Sequence, residues 1–334
     1  MRNKLLVSVI VLAYNRKEYL RMALESTLWQ TVERGKYEII LIKNFQDEFI
    51  DDFCLRNSVK VFTMEGIIGE YIAKGIRESR GEIIAFLEDD DIFVENKLQR
   101  LIELKEETNF DFIHNNYVEI DENGTLRSPY MRKLHLTSYN FDKVLYKSEL
   151  TLSQIRDLQK KEADFNPSCM SISSRLGFNF VEALEKITAC QDGCLFLAGL
   201  EMSGIVASGE VLTKYRVHNS TTNQFMSYRE YANSIRKESQ AQLKSIEKFR
   251  PCLKRASSLT VLNEMSALRM IKINTFNDKN SYIISRKYIE LLRPLIHFQL
   301  SYIAWVMFFF ASILFKEPTS KFIYKFVSSI QNAK

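Results

Sequence analysis

The chain of 334 residues carries 46 Lys and Arg against 41 Asp and Glu, a net charge of +5, and is 46% hydrophobic. That composition is globular, leaves room for a large core, and is too weakly basic to argue for nucleic acid; an anionic lipid or a phosphorylated ligand suits it better. Five cysteines (Cys54, Cys169, Cys190, Cys194, Cys252) in a long chain argue against a disulfide framework, and Cys190 and Cys194 lack a second pair at zinc spacing.

The first third alternates strand and helix signals. LLVSVIVL (residues 5–12) is too short to span a bilayer and reads as a buried parallel strand. Asn15 and Glu18 have the spacing of a capping box for a helix whose inward face is Leu20, Leu24 and Leu28. YEIILI (37–42) and VKVF (59–62) are the second and third strands. A helix over 68–79 stops at Gly81, taken as the residue just past its end. EIIAFL (82–87) is the fourth strand, followed by a helix over 95–107. Strands separated by helices imply an α/β fold with a parallel sheet, whose ligands bind beyond the carboxyl ends of the strands.

Beyond residue 110 the pattern changes. DFIHNNYVEIDENGTLRSPY reads as a hairpin turning at Asn123-Gly124. Residues 127–165 show no clear period and are assigned to a long excursion with some helix. From Tyr228 to Arg293 the sequence reads as mostly helical. Residues 295–315, LIHFQLSYIAWVMFFFASILF, contain no Asp, Glu, Lys or Arg. At about 1.5 Å per residue such a helix covers the roughly 30 Å hydrocarbon core. Tyr302 and Trp305 suit an interface, and KFIYKFVSSI after Pro318 has the pattern of a helix lying on a membrane surface. A buried core helix is the competing reading. Basic residues flank both ends, which favours an insertion with both flanks cytosolic over a clean span.

Three clusters carry chemistry. Glu88, Asp89, Asp90 and Asp91 follow the fourth strand directly. Hard oxygen ligands at that address suit Mg²⁺ or Mn²⁺, which bridge substrate phosphates; an exposed acidic loop capping the next helix is the alternative. Asp192, in ACQDGCLFLAG, is a general base or a helix cap. Tyr215-Arg216-Val217-His218 follows a strand-like run, and its Arg and His form one patch only if the strand ends there.

In order and spacing these pieces resemble the family 2 glycosyltransferases, an inverting group with the GT-A fold. The resemblance starts at VSVIVLAYNRKEYLRMALESTLWQT and continues through GIRESRGEIIAFLEDDDIFVENKL, YVEIDENGTLR, QDGCLFLAGLEMSG and LTKYRVHNSTTN, covering about residues 5–225. It implies a nucleotide-sugar donor, a divalent cation (Mn²⁺ or Mg²⁺) on its diphosphate, and a glycan or lipid-linked acceptor. Residue by residue, Ala13 and Tyr14 would line the nucleotide base pocket. Glu88 and Asp89 would sit at the donor, and Asp90, Asp91 and His218 at the metal. Asp192 would be the general base. The sequence departs from the family after strand two, where Lys43 and Asn44 stand at the place of an expected acid. It departs again at Tyr71-Ile72-Ala73, where an expected Arg is missing and Lys74 could compensate, and at Gln191, which replaces a Glu. Lys43, Asn44 and Lys74 are therefore candidate donor contacts. The expected organisation is a GT-A catalytic domain over 1–227, a helical extension over 228–293 and a membrane-associating segment over 294–334, with the active site on the cytoplasmic face. A nucleotidyltransferase would want a Gly-rich phosphate loop that VLAYNRKEY does not offer. A degenerate, non-catalytic GT-A scaffold at the membrane is the other alternative.

Overall fold

The computed structural model describes residues 5–127, 141–218 and 227–276, which fall into two compact units. The first takes the chain as far as His218 together with Pro251–Ser258. The second takes 227–250 and 259–276 of the described residues.

In the first unit the apolar runs become a sheet. Its strands are β1 (Val7–Ala13), β2 (Tyr37–Lys43), β3 (Lys60–Thr63), β4 (Ile83–Glu88), β5 (Ile92–Phe93), β6 (Phe112–Ile120), β7 (Lys143–Tyr146), β8 (Met170–Ser173) and β9 (Ile205–Arg216). They run in the order β3-β2-β1-β4-β8-β6-β9-β5, with β7 also paired to β9. The first four are mutually parallel; β8 is antiparallel to both β4 and β6, and β6 is parallel to β9. All seven residues of β1 and of β2 are buried, as strands covered on both faces require. Each parallel step is made through a helix: α1 (Leu20–Leu28), α2 (Glu48–Arg56) and α3 (Ile68–Glu78); α4 (Lys97–Thr108) then leads into β6. Leu20 and Leu24 of α1 are fully buried against this core. Three further helices, Leu152–Lys160, Ser174–Leu184 and Gln191–Glu201, belong to the described body of the unit. The result is an α/β fold, a central sheet flanked by helices, with helices also following it in the chain.

Several local expectations give way. Asn15 does not cap α1: the helix begins at Leu20 after Tyr19 with no side-chain cap, and Asn15 sits at φ 57°. Its backbone N–H and its side chain are both taken by Asn44, so a tertiary contact overrides the capping-box spacing. Helix α3 ends at Ser79 in extended backbone, not through Gly81. Gly81 packs on β1 instead: a Cβ there would lie 2.5 Å from the backbone of Val7 and Ser8. Helix α2 has no counterpart among the sequence signals, although Asp47 caps it by accepting from the Ile50 N–H. The hairpin after β6 turns at Gly124 (φ 82°), but its return is the single bridge Ile120–Leu126.

In the second unit the described residues include the helix Tyr228–Phe249, opened by a capping box between Ser227 and Glu230, and most of the helix Ala256–Thr275. No helix among the described residues is long and apolar enough to cross a membrane. The apolar stretch 295–315 and the amphipathic stretch after it lie outside the described residues.

Candidate active site

The carboxyl ends of β1 and β4 are adjacent, with Leu12 in register with Glu88. Two turns leave them side by side: Tyr14-Asn15-Arg16 from β1 and Asp89-Asp90-Asp91 from β4. Three segments from later in the chain close around the acids. Asn166 precedes a short 3₁₀ turn, Pro167–Cys169; Gln191 and Asp192 open the helix Gln191–Glu201; Arg216 ends β9, with His218 just beyond it.

The four acids have different partners. Asp89 is almost fully covered (3% exposed) and takes the Arg16 guanidinium on both oxygens. Asp90 meets Arg16 Nη2 at 2.7 Å and His218 Nε2 at 3.0 Å. Asp91 is wholly buried and accepts from Asn166 Nδ2 and from the Arg216 backbone N–H, both at 2.9 Å. Glu88 accepts from Gln191 Nε2 at 3.0 Å, and its own N–H donates to Ser168 Oγ at 3.0 Å.

This crowding has an electrostatic signature. Burial, then the charges of Asp90, Asp91, Asp89 and Asp192, hold the Glu88 carboxyl well above the usual carboxylate range. Burial and Asp90 push Asp91 up to about 7. Burial likewise raises Asp89 to about 6, against the pull of Arg16. Burial is the largest cause of all three shifts, and the neighbouring acids add to it. One oxygen each from Glu88, Asp90 and Asp91 converge within 4.8 Å of one another. An all-oxygen, partly buried set of this kind fits a hard divalent cation. Asp91, covered and engaged on both oxygens, forms the floor of that set.

The other candidates divide. Ala13 is buried at the end of β1 beside Lys43, and Tyr14 is half-exposed, with its ring edge-on to Tyr71 at 5.6 Å. Asn44 braces the Asn15 turn. Lys43 is fully buried and donates to the Phe45 carbonyl (2.6 Å) and to Asp51, so its ammonium is held by the start of α2. Lys74 pairs with Glu78 along α3 and lies over the Phe62 ring. Asp192 sits in the first turn of its helix, entered through Cys190 at φ 62°, and accepts from the Gly193 N–H. Its charge reaches the Glu88 carboxyl, so the two acids share one neighbourhood.

Arg16, Asn166 and Arg216 are parts of this site that sequence reasoning passed over or left unassigned. Arg216 is 2% exposed and clamps the backbone: Nε donates to the Asp90 carbonyl, and Nη1 to the carbonyls of Asp121 and Glu122, all at 2.8 Å. Its guanidinium also stacks over Tyr19 at 4.4 Å. The strand ends at Arg216, which lets His218 turn to Asp90. A lone Arg after a strand and an Asn before a Pro were the only signals available.

Comparison with known proteins bears on the family and the fold. An uncharacterised glycosyltransferase of Rickettsia bellii is 28% identical over 237 residues, 69% of this chain and 31% of the relative. WfgD of Escherichia coli, named as a UDP-Glc:alpha-D-GlcNAc-diphosphoundecaprenol beta-1,3-glucosyltransferase, is 29% identical over 124 residues, 36% of this chain and 48% of the relative. The chain therefore spans between about a third and a half of these two relatives. The crystal structure of S. aureus TarS 1-349 in complex with UDP-GlcNAc superposes with a TM-score of 0.54 at 14% identity, covering 92% of this chain and 91% of that one, which is a likeness of fold. The family model for glycosyl transferase family 2 matches residues 8–177, from β1 through the acid turn and into the helix that follows β8. With half its length matched by that model, the chain belongs to the family 2 glycosyltransferases and carries their GT-A fold.

Proposed function

We propose that this chain transfers a sugar from a nucleotide-sugar donor to an acceptor hydroxyl with inversion at the anomeric carbon. The observation that carries the reading is the position of Glu88. It belongs to the converging acid set, accepts a hydrogen bond from Gln191, and feels the charge of the adjacent Asp192. Donor-side acids and a candidate base thus meet at one carboxylate.

In this reading Ala13 and Tyr14 receive the nucleotide base, and Asn44 holds the turn beneath it. Glu88, Asp90 and Asp91 would hold Mn²⁺ or Mg²⁺, with His218, which meets Asp90, as a further ligand. Bound there, a divalent ion supplies positive charge for the departing diphosphate. Asp192 takes the proton of the acceptor hydroxyl as its oxygen bonds to the anomeric carbon and the bond to the diphosphate oxygen breaks. One carboxylate base suffices for inversion. Arg216 and Asn166 keep the acid turn in shape and touch no substrate. Lys43 and Lys74, held by Asp51 and Glu78, take the weakest roles.

The acceptor is proposed to be lipid-linked or membrane-proximal, on the cytoplasmic face. The apolar sequence 295–315 and the diphosphoundecaprenol in the name of WfgD support this. The three-part division into 1–227, 228–293 and 294–334 is part of the same proposal.

Incubation with a panel of nucleotide sugars and membrane-lipid acceptors, with and without Mn²⁺, tests the reading. Metal-dependent release of nucleotide with one donor is expected; no turnover with any donor would sink it. Asp192→Asn should lower transfer by about 10²–10⁴-fold while donor binding survives. Full activity in that variant would remove the base assignment.

A further inference from the structure

We infer that Arg16 is a resident cation of the acid turn, holding Asp90 and His218 until a metal ion takes them, and then turning its freed edge to the donor diphosphate. The inference rests on the reading of the turn as a divalent-cation site, and extends it to a residue outside that ligand set.

Two edges of one guanidinium do different things. The Nε and Nη2 edge grips both oxygens of buried Asp89, a fork-to-carboxylate pairing that fixes the side chain. The outer edge reaches Asp90 Oδ2 through Nη2 at 2.7 Å and His218 Nε2 through Nη1 at 3.0 Å. Arg16 is therefore the side chain that holds Asp89, whereas Asp90 lies between Arg16 and His218.

The His218 contacts are chemically incompatible with one another. Its Nε2 lies 3.0 Å from Arg16 Nη1 and 3.0 Å from Asp90 Oδ2. A guanidinium nitrogen only donates and an ionised carboxylate oxygen only accepts, while one imidazole nitrogen holds either a proton or a lone pair. With a lone pair, Nε2 satisfies Arg16 and repels Asp90. With a proton, it satisfies Asp90 and faces the Arg16 N–H. A cation drawing on both the Nε2 lone pair and Asp90 Oδ2 satisfies the two together. The arrangement is thus a site for a cation partly filled by an arginine, and the displaced arginine edge is left with N–H donors facing the place where an anion must bind.

The test uses MnCl₂ alone, then UDP, in calorimetric titrations of the full chain and three variants. Arg16→Met should bind Mn²⁺ at least about tenfold more tightly than the wild type without nucleotide, since the competitor is gone. Arg16→Lys separates competition from simple charge: it keeps the charge near Asp89 but cannot bridge Asp90 and His218, so it too should bind Mn²⁺ more tightly. With Mn²⁺ saturating, UDP should bind about tenfold more weakly to Arg16→Met. Thermal melting gives a second readout: Arg16→Met should melt lower than the wild type without metal and recover when MnCl₂ is added. His218→Gln should weaken Mn²⁺ in either background. Equal Mn²⁺ affinity in wild type, Arg16→Met and Arg16→Lys would overturn the role of Arg16 while leaving the cation site standing. Failure of Mn²⁺ to bind any of them would overturn the cation reading itself.

Discussion

Arg216 offers the sharpest test of how the acid turn is built. Its side chain is buried and spends three N–H groups on the carbonyls of Asp90, Asp121 and Glu122. Replacing it with Met keeps the apolar stem and removes all three bonds. The Asp121 and Glu122 carbonyls lie in a hairpin that is part or fully exposed, where water replaces the donor at about 1 kcal/mol each. The Asp90 carbonyl lies inside the turn and loses about 2 kcal/mol. Loss of the Tyr19 stack adds about 1 kcal/mol. Release of a desolvated charge offsets part of the total, so Arg216→Met should destabilise the first unit by about 3–4 kcal/mol. Arg216→Lys, able to replace one bond, should lose about 2 kcal/mol. Urea unfolding followed by circular dichroism reads both values. A cost below about 1 kcal/mol for the Met variant would show that the clamp is not what holds the turn.

Other consequences follow from the same contacts. Mn²⁺ at about a hundred times its dissociation constant should add about 2.7 kcal/mol, raising the melting temperature by several degrees, and EDTA should reverse it; no shift would contradict cation binding. Buried His114, whose Nε2 donates to the Phe165 carbonyl, is pushed down to about 4 by burial. Between pH 6.5 and pH 4 the unfolded chain takes up a proton that the folded one refuses, so stability falls on acidification by about 3 kcal/mol. The raised Asp89 and Asp91 act with the opposite sign, since folded acids that protonate first gain stability as pH falls. His114→Gln should isolate the histidine contribution: the wild-type minus variant difference shrinks from pH 7 to pH 4, and a constant difference would refute it. Gly69 packs where a Cβ would meet the Leu184 carbonyl at 2.2 Å and the Ile187 carbonyl at 2.7 Å. Gly69→Ala should therefore cost several kcal/mol by separating α3 from the helix Ser174–Leu184, readable as a lowered urea midpoint.

The parallel half of the fold was legible because its strands are unbroken apolar runs between helical periods, and the ligand address followed from topology alone. Helix α2 escaped because its four acids drew the reading of QDEFIDDFCLR, although Ile50 and Cys54, four apart, form its buried face and Asp47 caps it. Asn15 misled because a capping-box spacing says nothing of Asn44, which arrives from the neighbouring strand's end. Within the site, the acids were visible as a cluster, but their division of labour was not. That Asp89 faces Arg16, that Asp91 is floor, and that Asp90 meets His218 depend on contacts between residues far apart in sequence. The same reason hid Arg216, whose three hydrogen-bonded carbonyls are main-chain oxygens with no side-chain signature.

The separations involved have a consequence for how the protein comes into being. Asp91 is linked to Asn166 across 75 positions and to Arg216 across 125. On a ribosome the parallel strands emerge first, and the four acids emerge with them and with Arg16, long before Asn166, Arg216 and His218, which complete the turn. A nascent or truncated chain stopping short of Arg216 would lack the backbone N–H that Asp91 accepts from and the guanidinium that holds the Asp90 carbonyl. The acid turn takes its final shape only when β9 joins the sheet and brings Arg216 to it.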